Sequence, residues 1–267
     1  MAMVRHKQRR LLKRIVFLFS FFLFTFYFSF AAHIQSPQTA TGVIRLKVRY
    51  KSSEGLKDLP RKRFFLIPGS MEQNKPLIDK IKGIDEASRE CYFRRHGASP
   101  ALIKWLKDND CETLYCRDIE EKYLAGPDAV LEFQKAFAQA TNELKSRDVA
   151  RRWLSNYLSP ELRSGFYEER QKAIQTLLFS ATNKPGVMSI MTDRKGTAYF
   201  ANIEPGTYTL SNVVGSETDK TSIVWICERE VKATDLGTAM KRPMILSNEK
   251  DPKVKCEVIE RPLPACN

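Results

Sequence analysis

Three acidic residues around one cysteine are the part of this 267-residue chain whose types and spacing could do chemistry. Asp108, Asp110 and Glu112 alternate with other residues, and Cys111 lies between the last two. Two carboxylates that converge across a cleft can hydrolyse a glycosidic bond, one as the acid and the other as the base or nucleophile. The segment lacks the glycine and the terminal glutamate of an EF-hand calcium loop, so we predict no metal site and no cofactor.

Other catalytic machinery is hard to assemble from this sequence. The chain has three histidines, at positions 6, 33 and 96, and no G-x-S-x-G motif. A hydrolytic triad needs a nucleophile, a base and an orienting acid, and a zinc site needs several histidine or cysteine ligands. We therefore predict that the protein is not an enzyme. A cell-wall or glycan hydrolase that uses the acidic segment is the alternative.

Basic residues near the start of the chain form a candidate binding surface. The net charge is +13, and cations outnumber acids mainly before residue 75. The candidate surface comprises Arg45, Lys47, Arg49, Arg61, Lys62 and Arg63. Such a row is usually the solvated face of a strand, and the alternative is a patch for an acidic polymer or anionic lipid headgroups. We expect no nucleic-acid binding, because these cations lack the aromatic and polar partners of a nucleic-acid reader.

The N-terminal segment predicts export. Residues 15–32 carry no charge, follow a basic head, and as a helix of about 18 residues would span roughly 27 Å. That length fits a short membrane anchor, but a small-x-small site ending at Ala31 also fits cleavage of a signal peptide. Both outcomes export everything after residue 33. The absence of an N-x-[ST] sequon favours a bacterial envelope, with the chain anchored in the inner membrane facing the periplasm, or periplasmic or secreted if cleaved.

The even number of cysteines predicts disulfides, as is usual in exported chains. The candidates are Cys91, Cys111, Cys116, Cys227, Cys256 and Cys266. In a continuous helix Cys111 and Cys116 would lie more than about 7.5 Å apart, which is too far for a bridge. Cys91 is therefore expected to pair with one of those two.

Three cysteines precede residue 182 and three follow it, so full pairing requires at least one bridge between the two sets. We also expect one bridge within the C-terminal set. Cys227 lies in an apolar run and is alternatively a free thiol in the core.

The hydrophobic pattern changes period along the chain. Alternation from Ile44 to Tyr50 predicts a half-buried strand, and Arg63–Ile67 predicts a second, with a loop between them. Residues 75–181 follow a helical period and predict four or five helices, with Pro76, Pro100 and Pro160 in first turns. Strands return after residue 182, and Met244–Leu246 is the last one expected.

Two tight turns separate predicted strands in the segment TDRKGTAYFANIEPGTYTL, residues 192–210. The segment resembles the signature of carboxypeptidase regulatory-like domains, T-D-x-x-G-x-x-x-F-x-x-[IL]-x-P-G-x-Y-x-L. The matching residues are Thr192, Asp193, Gly196, Phe200, Ile203, Pro205, Gly206, Tyr208 and Leu210. Gly42 to Ile67 resembles the opening of the same domains less specifically. The resemblance implies a small transthyretin-like β-sandwich and identifies no reaction.

Together these features predict an α+β fold, an antiparallel prealbumin-like β-sandwich with an inserted α-helical subdomain. The predicted parts are residues 1–33 (basic head and signal peptide or anchor), 34–74 (first part of the sandwich), 75–181 (helical insertion), 182–247 (second part of the sandwich) and 248–267 (a tail held by its cysteines rather than by packing). Such a protein would serve binding or assembly, with an envelope protein or a cell-wall polymer as partner and the membrane contacted through residues 15–32.

Overall fold

The computed structural model of the protein describes residues 41–84, 88–181, 186–218, 221–235, 243–249 and 254–266. The predicted basic head, the anchor or signal peptide and the cleavage site after Ala31 lie outside these ranges. Within the described ranges, no helix is both long enough and apolar enough to cross a membrane.

Two β-sheets carry the strands, and the α+β class with a β-sandwich is confirmed. The strands of the first sheet are β1 (Gly42–Ser52), β2 (Gly55–Asp58), β5 (Thr197–Ile203) and β9 (Met244–Leu246). They have the order β2–β1–β5, and β9 also pairs with β1, in parallel. The strands of the second sheet are β3 (Arg63–Pro68), β4 (Met188–Met191), β6 (Gly206–Ser211), β7 (Ser216–Glu217), β8 (Thr221–Val231) and β10 (Cys256–Pro262). They have the order β10–β8–β6–β3–β4, with β7 also paired to β8.

Alternation along the strands builds the core between the sheets. Ile44, Leu46 and Val48 of β1 point inward, as the sequence pattern predicted. The second sheet is buried on both faces, because Trp225 of β8 packs in the inter-sheet core and Ile226 packs on the opposite face. A strand that is buried on both faces has mostly apolar residues at consecutive positions. Residues 222–227 follow this pattern.

Six α-helices occur in the described part of the chain, slightly more than the four or five expected. They are α1 (Lys75–Lys82), α2 (Arg89–Arg95), α3 (Pro100–Asp108), α4 (Leu131–Leu144), α5 (Arg147–Trp153) and α6 (Phe166–Ala181). Most of them enclose a core of their own around Phe93, Trp105 and Phe133. Helices α1 and α6 instead cover the outer face of the second sheet, through Ile78 and Ile174 among others.

The turn residues 193–196 predict a hairpin, and that prediction is wrong, because β4 pairs in the second sheet and β5 in the first. The tight turn does form, and it carries the chain from one sheet to the other. Asp193 Oδ1 accepts hydrogen bonds from the backbone N–H groups of Lys195 and Thr197, each at 2.8 Å. Gly196 has φ +66°, and a Cβ there would lie 2.5 Å from the carbonyl oxygen of Val48. Because only glycine fits this position, the signature residue has a direct structural cause.

Two further expectations about strands were wrong. Residues 55–58, expected in a loop, form β2 because they pair with the end of β1 beyond Tyr50. Met244–Leu246 is not the last strand, because Cys256–Pro262 pairs with β8 along its whole length. Backbone hydrogen bonds therefore hold the tail, in addition to its cysteines.

Candidate functional site

A cavity of about 660 Å³ opens where the sheets, the helices and the C-terminal tail meet. Its wall from the strands comprises Tyr50, Asp58, Leu59, Pro60, Lys62, Glu217 and Thr218. Its wall from the helices comprises Ser88, Arg89, Glu90, Lys107, Asp108 and Asp110, and the tail adds Leu263, Pro264 and Cys266. The volume lies within the range of about 300–1,000 Å³ that is usual for ligand sites.

A buried ion pair joins the two walls of the cavity. Lys62 Nζ lies 2.9 Å from both carboxylate oxygens of Asp110. The Lys62 side chain is 7% exposed and that of Asp110 35%. Arg89 approaches the same carboxylate, with Nη1 3.5 Å from Asp110 Oδ1, and donates to the backbone carbonyl of Cys111 at 2.9 Å.

Glu217 continues the network on the other side of Arg89. Its Oε1 accepts from the backbone N–H of Arg89, and its Oε2 lies 3.6 Å from Arg89 Nε. That Nε is buried and has no hydrogen-bond partner among the described residues. Burial raises the pKa of Glu217 above its usual range, and the positive charges of Arg89, Arg170 and Lys62 oppose the rise. The network alternates in sign: Lys62, Asp110, Arg89, Glu217.

Local structure places three of these four side chains. The backbone N–H of Lys62 donates to Thr192 Oγ1 at 2.9 Å, and Thr192 N–H donates back to the Lys62 carbonyl. Thr192, the first residue of the segment 192–210, therefore holds the loop that carries Lys62. Arg89 begins α2 behind Ser88, which caps the helix. Asp110 follows the end of α3 with φ +50°, a left-handed conformation that turns the chain toward the sheets.

The rim of the cavity is also charged. Glu90 contacts Lys107 and pairs with Arg94 Nη2 at 2.6 Å. Hydrogen bonds from Lys107 and Arg94 lower the pKa of Glu90. The acid is therefore ionised near neutral pH, and its charge is neutralised locally.

The disulfide Cys91–Cys266 ties the tail to α2 beside this rim, with Cα atoms 4.9 Å apart. The predicted bridge between the two sets of cysteines is therefore present. The bridge within the C-terminal set is Cys227–Cys256, which joins directly paired residues of β8 and β10. Cys227 is thus not a free core thiol.

The expected pairing of Cys91 with Cys111 or Cys116 was wrong, because Cys111 and Cys116 bond to each other. The helical spacing that excluded this bridge does not apply, since α3 ends at Asp108 and the chain turns at Asp110. A short 3₁₀ turn at Leu114–Cys116 then brings the two Cα atoms to 5.8 Å.

The predicted basic surface is divided between the two sheets. Arg45, Lys47 and Arg49 share the half-buried face of β1. Asp58 lies 2.7 Å from Lys47 Nζ and 3.4 Å from Arg49 Nε. Arg45 lies over the ring of Tyr199, 6.0 Å from its centroid.

Three members of that surface come from the start of the second sheet. Arg61 donates its backbone N–H to Thr192 O, and Arg63 Nη1 donates to Ser189 Oγ at 3.2 Å. Lys62 turns inward to Asp110. The structure therefore brings Lys62, rather than the whole basic set, to the cavity.

The acidic trio of the sequence is dispersed among separate partners. Asp108 contacts Lys104, Asp110 binds Lys62, and Glu112 Oε1 lies 3.7 Å from Arg170 Nε. Asp108 and Asp110 line the cavity and Glu112 does not. Within the described ranges, no group of three or more histidine, cysteine, aspartate or glutamate residues is placed to hold a metal ion.

Sequence reasoning missed Arg89 and Glu217. Arg89 follows a capping serine and Glu217 lies in a short strand, and neither belongs to a recognisable motif. Nothing in the sequence identifies them as buried, since isolated arginines and glutamates are mostly exposed.

No known protein family matches the chain, and no curated protein is significantly similar to it. Among solved structures, the pilus backbone (RrgB) from Streptococcus pneumoniae is similar over 78% of this chain, with 11% sequence identity and a TM-score of 0.23. The chain spans 41% of that protein's length. A likeness this weak supports no inference about function.

Proposed function

We propose that the protein is an exported, non-catalytic binding or assembly protein of the cell envelope. Its carboxypeptidase regulatory-like sandwich and its helical insertion together form the binding site. The cavity between them carries this proposal, because three separated parts of the chain converge there and a disulfide closes its rim. The partner is an envelope protein or a cell-wall polymer.

Export is supported by the three disulfides, since such bonds form and persist in oxidising compartments. It also agrees with the basic head and the apolar segment 15–32. A reporter fused after Asn267 should be active outside the cytoplasm. Activity only in the cytoplasm would contradict the proposed topology.

A non-catalytic role is supported by how the polar groups near the cavity are engaged. His96 is the only histidine among the residues that the structure describes. It does not line the cavity, and its Nδ1 lies 2.8 Å from the Tyr92 carbonyl oxygen. Asp58, Glu90, Asp108 and Asp110 each contact a lysine or arginine. Acids that are paired in this way are suited to positioning a partner.

The experiment compares two tryptophan substitutions in the full-length chain. Leu263→Trp adds bulk at the cavity, whereas Leu56→Trp adds it at a side chain that is 50% exposed and does not line the cavity. Each immobilised protein is incubated with bacterial envelope extract, and the retained proteins and sugars are quantified. We expect one component to be retained by wild type and Leu56→Trp and lost with Leu263→Trp. Equal retention by all three, or none by wild type, would contradict the proposal.

Glu217 is the observation that favours the alternative, a glycan hydrolase. A buried carboxyl group with a raised pKa resembles a general acid, and Asp110 contacts the same arginine. Incubation with cell-wall glycan strands, followed by analysis of reducing ends, tests it. Release by wild type and not by Glu217→Gln would establish the hydrolase, and no release by either would count against it.

A further inference from the structure

We infer that the cavity binds a neutral, hydroxyl-rich ligand, an oligosaccharide segment. This inference rests on the proposed binding function and names the ligand class of that site. The pairing of the charged lining residues, the hydrogen-bonding capacity left on those pairs and the apolar residues beside them carry it.

Charge pairing disfavours an ionic ligand. At the floor, Lys62 is paired with Asp110 and Arg89 lies between Asp110 and Glu217. At the rim, Lys107 contacts Glu90. The two remaining acids of the lining are paired with cations outside it, Asp58 with Lys47 and Asp108 with Lys104. A charged ligand would gain its attraction only by separating an existing pair, and one group of that pair would then be left without a counter-ion in a partly buried site. A neutral ligand needs no such separation.

The paired groups still have hydrogen-bonding capacity for hydroxyl groups. An ammonium group has three donors and a carboxylate has about four acceptor sites, so the Lys62–Asp110 pair leaves several positions open. Hydrogen bonds to ionised groups are roughly twice as strong as those between neutral groups. Adjacent hydroxyls of a sugar ring can donate to Asp110 while accepting from Lys62, which matches the alternation of donor and acceptor.

The apolar part of the lining suits the carbon face of a sugar ring. Tyr50, Leu59 and Pro60 lie on the strand side, and Leu263 and Pro264 lie on the tail. The tail residues are held by the Cys91–Cys266 bond and by the β10–β8 pairing. The site is therefore built before the ligand arrives, which reduces the ordering cost of binding.

A peptide is the competing neutral ligand. Extended peptides are commonly bound by addition to an open strand edge. The strands contribute only single residues to the lining, Tyr50 from β1, Asp58 from β2 and Glu217 from β7. The cavity therefore presents no run of strand backbone to which a peptide could add.

The test uses the oxidised full-length chain in a zwitterionic detergent that contains no sugar. The probes are triacetylchitotriose, cellotriose and maltotriose, with N-acetyl-trialanine amide, whose blocked termini carry no charge, as the peptide probe. Binding is measured by calorimetry and saturation-transfer NMR for wild type, Leu263→Trp, Asp110→Asn and Leu56→Trp. We expect one trisaccharide to bind, with at least tenfold loss in Leu263→Trp and Asp110→Asn and no change in Leu56→Trp.

Three results would overturn the ligand class. The first is that wild type binds none of the three trisaccharides, although Leu263→Trp still abolishes retention of an envelope component. In that case the oligosaccharide inference fails and the proposed binding function stands. The second is binding of the blocked trialanine peptide alone, with loss in Leu263→Trp. The third is trisaccharide binding that is equal in all four proteins, which places the sugar elsewhere on the molecule. Failure of the proposed function is recognised separately, by envelope retention that Leu263→Trp does not alter.

Discussion

Lys62 and Asp110 form an ion pair across the boundary between the sandwich and the helices, with Nζ 2.9 Å from both carboxylate oxygens. The lysine is almost fully buried, and this acid is its direct ion-pair partner. Substitution Asp110→Ala should lower the free energy of unfolding by about 2–4 kcal/mol, because it leaves a buried ammonium without its counter-ion. Urea denaturation measures the change.

The matched control is the exposed pair Lys104–Asp108, whose side chains are 75% and 54% exposed. Asp108→Ala should change the free energy of unfolding far less, because solvent screens an exposed ion pair. Equal losses for the two alanine variants would show that the Lys62–Asp110 pair contributes no more than a surface pair.

The sequence predicted the elements around this pair better than the pair itself. The alternation in β1, the tight turn at residues 193–196 and the start of α3 at Pro100 follow from local rules of burial, turn geometry and capping. The pairing of Lys62 with Asp110 depends on how the sheets and helices meet, which local rules do not encode. The wrong pairing of Cys91 has a different, local origin, because it assumed a helix through Cys111, whereas α3 ends at Asp108.

The disulfides should contribute unequally to stability. Cys91–Cys266 has a sequence separation of 175, and Cys111–Cys116 has one of 5. In the chain-entropy model these loops give about 5 and about 2 kcal/mol respectively. The double variants Cys91→Ser with Cys266→Ser, and Cys111→Ser with Cys116→Ser, should differ in that order in thermal unfolding. The reverse order would indicate that enthalpic effects outweigh loop entropy.

Peptide mapping under non-reducing conditions tests the connectivity directly. The digest should contain Cys91 linked to Cys266 and Cys227 linked to Cys256, with Cys111 and Cys116 joined within one segment. A Cys91–Cys111 or Cys91–Cys116 peptide would contradict the structure.

Gly196 should tolerate no side chain. Its φ is +66°, and a Cβ would approach Val48 O to 2.5 Å and Leu59 N to 3.0 Å. Gly196→Ala should therefore lower the free energy of unfolding by about 2–4 kcal/mol, through both backbone strain and the contact. Gly97→Ala is the control, since Gly97 has a similar φ of +74° but nothing within 4 Å of its Cβ position. If the two variants lose the same stability, the close contact is relieved at no cost.

The boundary of the helical insertion can be tested by deletion. The predicted insertion of residues 75–181 includes α1 and α6, yet both cover the outer face of the second sheet. Replacing all of it with a Gly/Ser linker should expose Phe65, Ile67, Val224 and Ile226, each worth roughly 1.5–3 kcal/mol of burial. We expect that deletion to aggregate.

A shorter deletion of residues 88–162, with Cys266→Ser, retains α1 and α6 and should keep the β signal in circular dichroism. Equal solubility and equal thermal stability of the two deletion variants would show that α1 and α6 belong to the insertion alone.

Glu217 should make stability fall as pH rises. Because burial raises its pKa, the folded state binds this proton more tightly than the unfolded chain does. The stabilisation that the protonated Glu217 contributes to the folded state is therefore complete below the unfolded pKa of about 4.3. It declines as pH rises through the folded pKa. Glu217→Gln cannot ionise and keeps an oxygen that can accept from Arg89 N–H. The free energy of unfolding of Glu217→Gln minus that of wild type should increase from about pH 4 upward.

Glu90 provides a control of opposite sign on the same rim. Lys107 and Arg94 lower its pKa, so wild type gains stability from this acid above the unfolded pKa and loses it as pH falls through the folded value. Glu90→Gln should therefore be less stable than wild type near neutral pH, and the deficit should shrink in acid. Urea denaturation from about pH 3 to pH 8 measures both variants. If the two differences change with pH in the same direction, the burial of Glu217 does not govern its titration.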